Sequence, residues 1–180
     1  MSALRRLHLV ARRERRRGRL YQPRVQRSQI GVTSLAALCA VLLLGLLSLW
    51  SGHVLIVAPL GASCVLLFGY PASPLAQPRN IVLGNLIGGL VGVGLASTAG
   101  QGPAVLALAV GLTILLGQQL RCLHPPAGGM AFLAVLLKVP WSFLLFPVLS
   151  GSLLLVLLAW GFSRWAPDEA TKPYLSDPRA

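Results

Sequence analysis

The chain has 180 residues, 55% of them hydrophobic and only 11% charged, with a mean hydropathy of +0.72 and a formal net charge of +12. Those values exclude an ordinary soluble domain and indicate a multi-span membrane protein. The charge is lopsided: Arg5, Arg6, Arg12, Arg13, Arg15, Arg16, Arg17, Arg19, Arg24 and Arg27, ten of the sixteen basic residues, precede the first apolar run.

Residues 1–28 therefore read as a basic cytoplasmic tail. The positive-inside bias places it, and the N-terminus, in the cytoplasm, and it can touch anionic lipid headgroups. Basic patches also attract nucleic-acid phosphate, but topology accounts for this charge, so no nucleic acid is expected as a partner. No small-residue cleavage site follows the first apolar run, which argues against a secretory signal. The tail is poor in serine for an organellar transit peptide, so a bacterial inner membrane is the expected location.

The membrane domain is expected over residues 29–163. A first span covers residues 30–50, with Trp50 at the interface. A second apolar segment, 54–70, is interrupted by Pro59 and Gly61. A polar loop, residues 71–80, leads into a third span over 81–98. Gly100-Gln101-Gly102-Pro103 predicts a tight turn, and a fourth span follows over 104–120. The segment 122–137 is interrupted by His124, Pro125, Pro126, Gly128 and Gly129. Pro140 opens a last span ending near Phe162, and residues 164–180 form a tail. Cys39, Cys64 and Cys122 lie in or beside apolar runs with no Cys-x-x-Cys pair, and read as buried small hydrophobes.

The pattern of span, interrupted segment, span occurs twice, over residues 29–100 and 103–163. Ala58-Pro59-Leu60-Gly61-Ala62 aligns with Pro125-Pro126-Ala127-Gly128-Gly129. If both interrupted segments cross, Arg79, Arg121 and Arg164 share the cytoplasmic side with the N-terminus, and only Lys138 is outside. If both fold back, Arg79, Arg121 and Lys138 all lie outside, against the positive-inside rule. Extended residues rise about 3.3 Å each against 1.5 Å for helical ones, so a short segment can cross. The expected fold is an all-α transmembrane bundle of six crossings, three plus three. An odd number of crossings per repeat inverts the second half.

Irregular backbone at membrane depth survives only where protein or water covers it, and an ionisable residue there points to function. His124 is such a residue: it titrates near neutral pH in water and can donate to an anion or carry a proton. The bland alternative is a neutral histidine satisfying a carbonyl freed by the prolines. Helix starts at Pro59 and Pro126, with Gly61, Gly128 and Gly129 lacking side chains, would offer free N–H groups and a positive dipole end to an anion. Arg79 and Asn80 fit a cytoplasmic mouth, although Arg79 equally suits a snorkelling topological charge. Asn85, Gln118 and Gln119 line a path or bond between helices. Gly84, Gly88 and Gly92 recur at i+4 and suit close helix packing or a subunit contact. Only Glu14, Asp168, Glu169 and Asp177 are acidic, and none lies in an apolar run. Carboxylate relays and carboxylate-based catalysis are therefore not expected. Neither an enzyme, a metal site nor a cofactor is expected.

Leu123-His124-Pro125-Pro126-Ala127-Gly128 resembles the signature of the HPP family of integral membrane proteins. Pro59-Leu60-Gly61-Ala62-Ser63, running on to Leu67-Phe68-Gly69, and Ser73-Pro74-Leu75-Ala76-Gln77-Pro78-Arg79-Asn80 resemble two further family blocks. The resemblance covers about residues 29–162. It implies a helical membrane protein, usually described with four spans. Some plant and cyanobacterial members are associated with nitrite transport, so it also implies small-anion transport. The reading is a transporter or channel for a small inorganic anion, nitrite first, with homo-oligomers compatible. The rival is a non-transporting scaffold that partners another membrane protein.

Overall fold

The computed structural model describes residues 27–165. The arginine-rich tail up to residue 26, for which lipid contacts are expected, and the tail from residue 166 lie outside the described residues. The chain divides into Met1–Val32 and Thr33–Ala180. Of the first unit, residues 27–32 are described, as the opening turns of a helix. The rest of the account concerns the second.

The described residues form six helices and no strand: α1 Arg27–Ser51, α2 Ala58–Gly69, α3 Pro78–Thr98, α4 Pro103–Gln119, α5 Pro125–Leu137 and α6 Ser150–Trp165. The all-helical expectation holds. Prolines set most of the starts. Pro59, Pro78, Pro103 and Pro125 each lie in the first two positions of a helix, where the missing N–H removes no intrahelical bond. Pro59 and Pro125 thus open short helices, preceded by extended Val57 and His124. The second half of α2, Val65–Gly69, widens into a π turn.

The final span differs from its sequence reading. It begins as a 3-10 turn, Trp141–Leu144, passes through a wide turn, Leu145–Leu149, and only then becomes α6. Phe146, at φ −130° and ψ 114°, interrupts the helical path. Pro147 follows it. A proline inside a helix removes a hydrogen bond and pushes the preceding residue toward extended backbone.

Three stretches are long and apolar enough to span a bilayer: Gln29–Ser51, Pro78–Thr98 and Trp141–Arg164. The other three helices are shorter. At 1.5 Å per residue α3 reaches about 30 Å, the thickness of a hydrocarbon core, and α5 only about 20 Å. An extended approach lengthens the path of α5. At one end Arg79 Nη2 donates to Leu120 O at 3.1 Å; at the other Gln101 Nε2 donates to Val135 O and Leu136 O at 3.2 and 2.7 Å. Residues 121–138 therefore follow α3 from its first turn to beyond its last.

Directions follow from neighbours. A Cβ on Gly84 would lie 2.7 Å from His124 Cβ, one on Gly88 would meet Ala127 O, and one on Gly92 would lie 2.6 Å from Ala131 O. So α3 and α5 run parallel with backbones in contact, a small-residue seam typical of membrane helices. Likewise α2 follows α6, with Leu60 against Gly151 and Phe68 edge-on to Phe162. The two pairs oppose each other: Pro59 and Ser63 of α2 meet Gly129 and His124, while Asn85 and Gly89 of α3 meet Ser152 and Val148. Leu60, Leu67, Phe68, Met130, Val148 and Leu155 fill the main apolar core, joined by Ala40 and Leu44 of α1.

Candidate functional site

Where the opposed pairs cross, four polar side chains from four segments are buried together. Ser63, Asn85 and Ser152 have no exposed surface, and His124 is 2% exposed. His124 caps α5 from extended backbone, as a residue before proline prefers. Its Nδ1 lies 3.0 Å from Leu75 O. A carbonyl only accepts, so Nδ1 carries a proton. In the neutral ring Nε2 is then an acceptor, and the Ser63 hydroxyl sits 2.8 Å from it. The same hydroxyl is 3.1 Å from Pro59 O, one turn back on α2. Asn85 Nδ2 donates to Ser63 Oγ at 3.4 Å and to Ser152 Oγ at 3.2 Å. Asn85 Oδ1 is buried without a partner among the described residues. An orphaned buried acceptor costs about 1–3 kcal/mol, so its retention calls for a reason.

A cavity of about 310 Å³ adjoins the node between α3, α4 and α5. His124, Pro125 and Gly128 line it with Gly84, Thr113 and Cys122. Pro126 is buried beside it, and a Cβ on Gly129 would lie 3.6 Å from Pro59 Cγ. Gly61 is half-buried and faces open space.

The helix starts are poorer in donors than the sequence suggests. Pro125 and Pro126 carry no N–H, and Ala127 N donates to His124 O at 2.9 Å. On α2, Leu60 N and Gly61 N both point to Val57 O, at 2.9 and 3.4 Å. Prolines on α5 and the Val57 and His124 carbonyls thus leave few free N–H groups at these starts, and the buried polar groups are side chains.

Arg79 and Asn80 lie apart from the node, toward one end. Arg79 is exposed and holds Leu120 O, and Asn80 Nδ2 donates to Pro74 O at 2.9 Å. Gly84, Gly88 and Gly92 face α5 within the chain. His53 is exposed and stacks on Phe146, with ring centroids 4.5 Å apart. No group of three or more histidines, cysteines or acids able to hold a metal occurs among the described residues.

The spacing of Ser63 and Ser152 in the sequence does not single them out as site residues. Ser63 stands within the Pro59-Leu60-Gly61-Ala62-Ser63 block, which was a usable signal. Ser152 was visible only as one small polar residue in an apolar run.

The described family of HPP transmembrane regions matches residues 22–172. Two transmembrane proteins of Dictyostelium discoideum are similar to the chain. One is 37% identical over 143 residues, covering 73% of this chain and 50% of the relative. The other is 36% identical over 148 residues, covering 76% and 48%. The chain thus spans about half the length of these relatives. No solved structure matches it. With apolar helices of spanning length beside a match over most of its residues, the chain is a multi-pass membrane protein and belongs to the HPP transmembrane family.

Proposed function

We propose that the protein passes a small inorganic anion, nitrite first, across a bacterial inner membrane. The observation that carries this reading is the buried node of Ser63, Asn85, His124 and Ser152 at the crossing of two opposed helix pairs. Polar side chains at lipid depth are costly and mark pathways. In transporters built from inverted repeats, the substrate site lies at the repeat interface near the midplane. Several features favour such a repeat. Each short helix starts at proline, each runs parallel to the long helix of the other half, and each meets a glycine there, Gly88 for α5 and Gly151 for α2.

The ends of the helices favour six crossings. Arg79 and Arg121 lie together where α3 begins, and Pro78 shares a cavity with Trp160, next to Arg164. Lys138 ends α5 at the other extremity. The three arginines on one side form the cytoplasmic face, with both termini, in this reading. Arg79 and Arg121 then draw anions toward the entrance, and the Ser and Asn groups replace part of the hydration shell within.

The test is nitrite uptake by purified protein in liposomes, beside His124→Ala at equal monodispersity. Saturable uptake that the variant loses is the expected result. No uptake above empty vesicles for nitrite, nitrate and formate, with or without a pH gradient, overturns the reading in favour of the scaffold.

A further inference from the structure

The node has no fixed positive charge. Its side chains are two serines, an asparagine and a histidine. The charged or titratable groups on the packed segments are Cys64 on α2, Tyr70 in the loop, Arg79 on α3, Arg121 and Cys122 before α5, Lys138 at its end, and Arg164 on α6, of which Lys138 and Arg164 are exposed. Tyr70, Arg79 and Arg121 are exposed, and Arg79 is engaged with Leu120 O. The cysteines are neutral as thiols. An anion seated at the node without a counter-charge would bear the full penalty of a buried unpaired ion, several kcal/mol.

We infer that one proton accompanies each anion through the node, with His124 holding the proton and Asn85 contacting the anion. This rests on the anion reading above and adds its coupling ion. The hydrogen bonds accept either state of the ring without moving a heavy atom. In the neutral ring, Ser63 donates to Nε2. When Nε2 gains a proton, it donates to Ser63 Oγ instead, and the hydroxyl turns to Pro59 O, already 3.1 Å away. Nδ1 keeps Leu75 O throughout.

Asn85 supplies the matching versatility. With Nδ2 on the two serines, its unpartnered Oδ1 accepts the O–H of a protonated acid. Turned over about its last torsion, Oδ1 takes the Ser152 hydroxyl, the Ser63 O–H staying on Pro59 O, and the N–H groups face the anion. The first arrangement carries the proton on the acid, the second on His124. The sum is the same: one H⁺ and one anion bound together, both released together, with no net charge moved.

The experiment uses the wild-type chain in liposomes loaded with a pH-sensitive dye, with nitrite added outside and the rate in empty vesicles of the same lipid subtracted. The expected result is internal acidification in step with nitrite uptake, one proton per anion, driven by an inward proton gradient and insensitive to an imposed potassium diffusion potential. Nitrite uptake that follows the potential without acidification overturns proton coupling and leaves the anion reading standing. No nitrite uptake at all overturns both. Asn85→Leu is expected to abolish uptake. His124→Asn keeps hydrogen-bonding groups without a site for the proton, and is expected to abolish acidification; persistent acidification in a folded His124→Asn protein overturns the role given to His124.

Discussion

α2 and α5 start alike, at proline after extended backbone, yet they are seated differently. α5 turns Ala127, Ala131 and Ala134 toward α3 and lays its backbone on Gly88 and Gly92, while Gly84 takes the extended segment that leads into it. α2 is held by Leu60, Leu67 and Phe68, which reach into the apolar core. One seat is backbone on backbone, and the other is side chain in pocket. In lipid, where apolar surface gains little from leaving its surroundings, close packing and hydrogen bonding decide association. A backbone seat is intolerant because neither partner can turn a rotamer to make room. A side-chain seat yields in proportion to the atoms lost.

The sharpest way to break this contrast is Gly88→Ala. The new Cβ would meet Ala127 O and come within 3.0 Å of its carbonyl carbon. The expected loss is about 3 kcal/mol or more, as overpacking against backbone, read as a lowered Tm or loss of the monodisperse peak in detergent. Gly94→Ala on the same helix meets nothing within 4 Å, and serves as the silent control. For the other seat, Leu60→Ala is expected to lose about 2–4 kcal/mol through the void it leaves. Equal losses at Gly88 and Leu60 with no effect of side-chain size would remove the distinction.

Between the seats, Asn85→Leu separates packing from chemistry. It removes the orphaned acceptor along with two hydrogen bonds, so stability is expected to change by only about 1 kcal/mol while nitrite uptake is lost. A large drop in Tm would make Asn85 a structural clamp. The smallest effect is expected from Lys138→Gly. Lys138 ends α5 at φ 48°, a left-handed conformation that glycine adopts at less cost, and the variant is expected to gain about 0.5–1 kcal/mol, seen as a slightly raised Tm.

Much of this was readable from the residues because prolines and glycines act locally. Pro59 and Pro126 mark helix starts, and the i+4 glycines of α3 mark a close contact, whereas Pro78 and Pro103, read as loop and turn, also open helices. His124 stood out as an ionisable group in an apolar run. Other features were not readable because they depend on which helices meet. The glycine ridge did not name α5 as its partner. Ser63, Asn85 and Ser152 are far apart in sequence, and only the opposed crossing brings their hydroxyl and amide groups together. Pro147 is legible in the sequence, but the otherwise continuous apolar run around it hides the break it makes. The shortage of free donors at the helix starts is local: proline starts a helix well because it has no N–H to offer, and Val57 O and His124 O take the N–H groups of Leu60, Gly61 and Ala127.

The cavity beside His124 also contains a native reporter. Cys122 lines it with no exposed surface, whereas Cys39 faces outward on α1 and Cys64 is in the apolar core. In a protein with Cys39 and Cys64 replaced by serine, a small thiol reagent reaches Cys122 only as often as the cavity opens. Because the reactive form is the thiolate, a reaction measured at fixed pH counts those openings. Its rate with and without nitrite reads how the anion changes access to the cavity between α4 and α5, with no label added to the chain.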